Sequence, residues 1–352
     1  LLIRLSGRGF RNLEPFDWRP AKGNNVILGP NGAGKTSLIE ALYTLATTRS
    51  FRSSRLAVCV RHGESGLDLR GEVEGAARTA LSLSWDERGL QRAVNDAAVG
   101  WAEHLEVLPV VLWWSGAQET VTGAPRLRRR MLDQGVVGLH PAALQATARF
   151  RRVLRQKREL LARGDKGLSS WNEVFAQSAS EVTRLRARYT EVLSRELEEL
   201  LRERGEDPQS IRLSYRPSLQ ASLNGPENAV AALESVRTRE LEQAQAVVGP
   251  HRDELSITWR GHPVSDEASA GETKWIGLTL AAARGRVLAA QGREPVYLLD
   301  DLDAELDAGR LERALELFSG AAQIAATSSR EEAWNGAVTT SVWRLDEGRI
   351  QS

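Results

Sequence analysis

The sequence predicts an α/β fold assembled from both ends of the chain, with a mainly α-helical lobe inserted between them. Three observations predict it. A short apolar strand, NNVIL (24–28), runs through a glycine-rich loop into a helical apolar pattern. A second apolar run, VYLL (296–299), ends in acids near the other end of the chain. Between them lie two long helical patterns separated by the turn string GDKG (164–167). Strands alternating with helices at both ends imply a layered α/β head. The boundaries read as 1–108 and 248–352 for the head and 109–247 for the helical lobe.

Each element follows from local pattern. In KTSLIEALYTLATTR (35–49), Leu38, Ile39, Leu42 and Leu45 recur at helical spacing. GLDLRGEV (66–73) and RTALSLSW (78–85) alternate with period two and flank turn residues, as an antiparallel hairpin does. The longest apolar stretch, 107–114, suits a buried strand and falls well short of the roughly 18 residues of a membrane span. The helical patterns at 141–163 and 168–205 follow, the second with interleaved Glu and Arg typical of a solvated face. Strand character returns in IRLSY (211–215) and ELSITWRG (254–261), and 272–292 reads as a helix. AAQIAAT (321–327) and SVWRLDEGRI (341–350) read as two last strands.

Composition narrows the class. Of 352 residues, 41% are hydrophobic and 26% charged, the balance of a soluble globular protein with a sizeable core. No signal-peptide pattern opens the sequence, and no membrane partner is expected. One cysteine, Cys59, excludes an internal disulfide, and with five histidines it makes no zinc pattern; it reads as a small buried residue in a cytoplasmic protein. Ten scattered tryptophans read mainly as core. The net charge of +1 hides an asymmetry: 126–163 carries eleven Lys/Arg against only Asp133 and Glu159.

Three strings carry chemistry. GPNGAGKT (29–36) matches G-x-x-x-x-G-K-[ST] at every fixed position, the phosphate-binding Walker A loop. Its residues Gly29, Pro30, Asn31, Gly32, Ala33 and Gly34, with Lys35, Thr36 and Ser37, are the candidate ATP contacts. Backbone N–H groups wrap the phosphates, Lys35 reaches the β- and γ-phosphates, and the Thr36 hydroxyl binds Mg²⁺. The following helix turns its positive end towards the anion. In PVYLLDD (295–301), a buried strand holds Asp300 as a second Mg²⁺ ligand, and Asp301 orients or deprotonates the attacking water. SAGET (269–273) opens the helix before that strand and resembles the ABC signature, in which Ser269 and Gly271 would cap the γ-phosphate of an opposing subunit; the same string also suits a plain helix N-cap.

These strings, with FRNL (10–13), SFR (50–52), GAPRLRRRMLD (123–133), GPHRDEL (249–255) and LLDDLDAELD (298–307), resemble the RecF family of bacterial recombination mediators, SMC-related ABC-type ATPases. The matches run from Phe10 to Thr327, with the helical middle matching in pattern. The resemblance implies an ABC-type ATPase head with a mixed sheet around the P-loop helix, and Asp307 closing the D-loop. It implies ATP and Mg²⁺ as cofactors and an ATP-dependent homodimer. Its expected partners are double-stranded DNA, single-strand/double-strand junctions, and the proteins RecO and RecR in assisting RecA loading. Departures accompany it. The family's Ser-x-Gly-Gln-Gln is Ser-Ala-Gly-Glu-Thr here, which brings the negative Glu272 towards a phosphate. Residues 115–117 stand where the family tends to carry Pro-Glu-Asp, and either Gln118 or Gln134 suits the Q-loop. Thr327 occupies the place of the transporters' switch histidine.

The basic segment is the candidate DNA surface. Arg151, Arg155 and Arg158 recur at i, i+4 and i+7 on one helical stripe, Arg152 flanks them, and Arg126, Arg128, Arg129 and Arg130 form a second cluster. No base-reading motif accompanies them, so binding through phosphates is expected to be largely sequence-independent. The expected activity is slow ATP hydrolysis, since Asp301 is one methylene shorter than the glutamate common in this class. Alternatives are a transporter ATPase subunit, the head of another SMC-like repair ATPase, and a scaffold that binds ATP without turnover.

Overall fold

The computed structural model describes residues 1–164, 167–304, 308–334 and 341–351, which form two compact units, Leu1–Ala117 with Gly277–Ser352 and Gln118–Ile276. In chain order the first unit opens with β1 (Leu2–Arg8), β2 (Phe16–Trp18), β3 (Gly23–Leu28), α1 (Lys35–Thr47), β4 (Leu67–Glu74), β5 (Arg78–Asp86), β6 (Gly89–Val94), β7 (Ala97–Ala98), α2 (Trp101–Val107) and β8 (Val110–Trp113). The second unit carries α3 (Gln118–Thr122), α4 (Pro125–Leu139), α5 (Ala143–Arg163), α6 (Leu168–Glu203), β9 (Ile211–Arg216), α7 (Pro226–Ser235), α8 (Arg237–Gln243), β10 (Glu254–Trp259), β11 (His262–Pro263) and α9 (Val264–Glu267). Helix α10 (Ala270–Ala289) crosses the division, and β12 (Val296–Leu299), α11 (Ala308–Glu316), β13 (Gln323–Ser328), β14 (Ser341–Asp346) and β15 (Arg349–Gln351) return to the first.

The division falls later than the sequence boundaries of 108/109 and 247/248, for a pairing reason. Residues 110–113 pair in parallel with β12, which holds them in the first unit. Residues 254–259 pair antiparallel with β9, which holds them in the second. The final string also differs: SVWRLDEGRI folds back at Glu347–Gly348 into two antiparallel strands.

In the first unit, one sheet has the order β2-β1-β4-β5-β6-β7 and is antiparallel. The other has the order β15-β14-β3-β13-β12-β8 and is parallel from β14 to β8. Every residue of β12 and β13 is buried, as expected of central strands in a parallel sheet. Helix α1 contacts β4 and β5 of one sheet and β8 and β13 of the other. Its side chains Leu38, Ile39, Leu42 and Leu45 are fully buried in the core they share, each contributing roughly 1.5–3 kcal/mol. The helix stops at Thr48, whose left-handed φ of 60° turns its N–H onto Thr44 O at 2.8 Å. Cys59 is buried in this core.

In the second unit, α4 and α6 pack with the sheet β11-β10-β9, and α5 and α7 pack on α6. The 36-residue α6 is its spine. Gly135 of α4 lets α6 approach closely, since a Cβ there would lie 2.0 Å from the Tyr189 ring. Phe150, Val153, Leu154, Leu161, Phe175 and Ala179 fill the interior.

Candidate functional site

The phosphate loop lies between β3 and α1. Gly34 takes φ 111° immediately before the first helical residue, a conformation that L side chains rarely adopt. A Cβ on Gly29 would lie 2.0 Å from the Leu345 carbonyl oxygen. Pro30, Asn31 and Gly32 are exposed at the tip, while Ala33, Gly34, Lys35 and Ser37 are buried at its base. Lys35 Nζ donates to the carbonyls of Gly29 at 2.8 Å and Pro30 at 3.0 Å, so its charge lies along the loop. The opening N–H groups of α1 have no partner within the helix, which suits an anion.

The acids of the second string meet this loop. Thr36 Oγ1 donates to Asp300 Oδ1 at 3.0 Å across 264 positions of sequence. Thr327, fully buried at the end of β13, donates to the same oxygen at 2.7 Å and accepts the Asp301 N–H at 2.9 Å. One hydroxyl therefore fixes both acids, and Asp301 sits at a left-handed φ of 51°. Burial pushes the Asp300 carboxyl up to about 6, Asp301 adds to the rise, and the Thr327 and Thr36 hydroxyls oppose it. A hydroxyl and a carboxylate oxygen at hydrogen-bond distance are the donor pair a Mg²⁺ ion takes from protein when phosphates and water complete its shell. Next to them, Asp303 is buried and accepts from Ser328 Oγ at 2.7 Å. Asp307 lies outside the described residues.

The strings FRNL and SFR converge on the same helix. Arg11 holds the fully buried Glu40 of α1 through two hydrogen bonds of 2.9 and 2.6 Å; Arg52 stands 3.5 Å from it, and Ser50 Oγ also donates to it. Asn12 Nδ2 donates to Gly32 O at 2.9 Å, and Asn12 Oδ1 accepts from Ser37 Oγ at 2.7 Å. The strings alone do not reveal these partners. The available signal was Glu40, an acid embedded in the apolar face of α1 with no neighbouring base on the helix.

In the second unit, Ser269 and Gly271 stand at the N-terminus of α10. Glu272 Oε2 accepts the Ser269 N–H at 2.9 Å and its hydroxyl at 2.7 Å, and Glu272 N–H approaches Ser269 Oγ at 3.3 Å. That is a capping box. Oε1 accepts the Trp259 indole N–H at 3.1 Å. These donors, the Ser269 N–H first, hold the Glu272 carboxyl below its usual range. Glu272 thus acts as the N3 acceptor of a helix cap, a place that Gln also fills. A Cβ on Gly271 would meet nothing within 4 Å, so the backbone there is open to close approach. Of the Q-loop candidates, Gln118 begins α3 and Gln134 lies in α4.

The arginines divide. Arg126, Arg130, Arg151, Arg152, Arg155 and Arg158 are exposed. Arg128 turns inward to Glu254 at 2.7 Å and to Gly123 O, and Arg129 donates to Asp253 O at 2.7 Å. Those two brace the start of β10 instead of lying free on the surface, because the Glu254 carboxylate and the Asp253 carbonyl face them. Arg151, though exposed, stands 3.5 Å from Asp133. The same string builds the hub of this unit: buried Asp253 accepts from Arg186 at 3.1 Å, from Ser218 N at 2.9 Å and from Tyr215 Oη, and Arg186 also holds Asp133 at 2.9 Å. His251 lies near the rings of Phe150 and Phe175. Burial drives its pKa down to about 4, assisted by Arg158, Arg252 and Arg129 and opposed by the Ala246 carbonyl.

A P-loop helix in contact with both an antiparallel and a mixed sheet, with Asp300 just past β12 against Thr36, gives the first unit the fold of an ABC-type ATPase head. An AAA-domain profile matches residues 4–82. The DNA replication and repair protein RecF of Edwardsiella ictaluri is 32% identical over 316 residues, covering 88% of this chain and 87% of that protein. RecF of Yersinia enterocolitica is 30% identical over 363 residues, covering 99% and 98%. The chain belongs to the RecF family of DNA replication and repair proteins. Its fold is that of the recombination mediator protein RecF in the RecFOR pathway, solved with ATPrS (TM-score 0.89, 23% identity, covering 100% of this chain and 97% of that one). An SMC head bound to the C-terminal winged-helix domain of ScpA shares the fold more distantly, with a TM-score of 0.58 and 16% identity over 99% and 96% of the two chains. Among the described residues no helix is long and apolar enough to cross a membrane.

Proposed function

We propose that this chain is an ATP-driven clamp of recombinational DNA repair that dimerises on duplex DNA near gaps and junctions. The observation that carries the reading is the 3.0 Å contact between Thr36 Oγ1 and Asp300 Oδ1, which joins the two halves of a Mg–nucleotide site. Lys35 binds the β- and γ-phosphates, and the loop from Gly29 to Ser37 wraps them. Thr36 and Asp300 hold Mg²⁺, which neutralises phosphate charge when bound. Asp301, set by Thr327, orients water for attack on the γ-phosphorus, and hydrolysis is slow. Ser269 and Gly271 of a second copy close over the γ-phosphate, with Asp307 in the adjoining D-loop. ATP then holds the dimer together, and hydrolysis releases it.

The exposed guanidinium groups support duplex binding through phosphates, with Arg151, Arg155 and Arg158 as the main stripe and Arg126, Arg130 and Arg152 beside it. Arg128 and Arg129 contribute by bracing that surface. By family membership, RecO and RecR are the partners and RecA loading the outcome. The test reverses Arg151, Arg155 and Arg158 to Glu and measures duplex affinity with ATP over a salt series. Loss of three phosphate contacts flattens the log–log salt slope by about 3. Affinity and slope equal to wild type would remove this helix from the DNA surface.

A further inference from the structure

We infer that Asn12 is a positioning residue of the nucleotide site, acting with the Gly348 turn to preset the phosphate loop before nucleotide arrives. The inference rests on the proposed Mg–ATP site and adds to it parts that lie outside the Walker strings. In a trans peptide the C=O and the following N–H point in opposite directions. A loop that cradles phosphate must aim its N–H groups inward, so its carbonyls must be held outward.

Two successive carbonyls of the loop are held in this way from outside it. Asn12 Nδ2 donates to Gly32 O at 2.9 Å, and the N–H of the same peptide, on Ala33, donates to Pro30 O at 3.2 Å, so this peptide is held at both ends, from outside the loop by Asn12. Gly348 N–H takes Ala33 O at 2.9 Å, which fixes the peptide that carries the Gly34 N–H. The two anchors are themselves joined: Glu14 N–H donates to Gly348 O at 3.0 Å, and a Cβ on Gly348 would lie 2.2 Å from Asn12 O. Asn12 also accepts from Ser37 Oγ at 2.7 Å, so one amide spans the loop tip and the first turn of α1. Without these anchors the glycine-rich peptides are free to rotate, and that freedom must be lost when nucleotide binds. Asn12 needs no contact with ATP to act. It is exposed, so its removal disturbs little of the core; Asn12→Ala takes the acceptor from the buried Ser37 hydroxyl, and Asn12→Asp keeps it.

The experiment measures ATP and ADP affinity by titration calorimetry, and the thermal midpoint without nucleotide, for wild type, Asn12→Ala, Asn12→Asp and Lys35→Met. Asn12→Ala is expected to weaken both nucleotides about 10-fold, the size of one net hydrogen bond, with the nucleotide-free midpoint within a few degrees of wild type. Asn12→Asp keeps the acceptor for Ser37 but cannot donate to Gly32, and is expected to lose at least as much. Wild-type affinity in either Asn12 variant, with Lys35→Met defective, would overturn the role of Asn12 while leaving the site intact. An affinity loss matched by a collapse of the nucleotide-free midpoint would overturn it in favour of a general structural role. Full ATP affinity in Lys35→Met would instead overturn the underlying site.

Discussion

Replacing Asp300 by Asn is expected to stabilise the nucleotide-free protein while disabling its Mg–ATP chemistry. Asp300 is 4% exposed, and its carboxyl is raised from 3.8 to about 6. At pH 7 the folded protein therefore carries a carboxylate that is happier in the unfolded chain. About two pKa units correspond to roughly 3 kcal/mol of lost stability. The sign follows from proton uptake: between about pH 6 and 3.8 the folded state binds the proton first, so this group's penalty shrinks as pH falls and is largest above 6. An Asn Oδ1 keeps both hydroxyl donors, from Thr36 and Thr327, and removes the charge. Its amide hydrogens need partners, which offsets part of the gain, so about 1–3 kcal/mol is expected. For a unit of this size that raises the midpoint by about 3–9 °C. Calorimetric scans at pH 7.5 without nucleotide check the stability, and steady-state ATP turnover checks the loss of function. A midpoint equal to or below wild type would refute the claim that the site stores electrostatic strain.

Substitutions at two positions probe the second unit. Glu272→Ala removes the acceptor of the capping box and of the Trp259 indole, so thermal unfolding should show a lower midpoint, whereas Glu272→Gln keeps the box and a midpoint close to wild type. His251 is depressed from 6.5 to about 4, so the unfolded chain binds its proton first and stability falls as pH drops through that window, by at most about 3 kcal/mol. Urea midpoints between pH 7.5 and 4.5 should fall less steeply in His251→Gln than in wild type; parallel profiles would count against the assignment.

Much of this was legible in the sequence because it depends on local pattern. The apolar face of α1, the 66–73 and 78–85 hairpin and the acids ending β12 each follow from spacing within one element. The two units were also legible, but their borders were not. They depend on which strand β8 and β10 pair with, and pairing with β12 nearly two hundred positions away, or with β9 beyond two intervening helices, leaves no local trace. The exposed and inward arginines of 126–130 look alike as letters. Only the position of Glu254 and Asp253 beneath α4 separates Arg128 and Arg129 from Arg126 and Arg130. Glu272 was an anomaly when read against a phosphate and becomes ordinary as N3 of a capping box, a role its spacing from Ser269 already permitted. Asn12 and Thr327 each act through two side-chain hydrogen bonds to elements distant in sequence, and no periodicity announces such residues.

The central claim is that ATP bound in one copy is completed by Ser269 of another. Sedimentation velocity of the full chain with ATP, with ADP and without nucleotide, beside Lys35→Met and Ser269→Arg, tests it most directly. The account predicts a dimer for wild type with ATP alone, and monomers for both variants under every condition. The same mass for wild type in all three conditions, or an ATP-dependent dimer that survives Ser269→Arg, would contradict it.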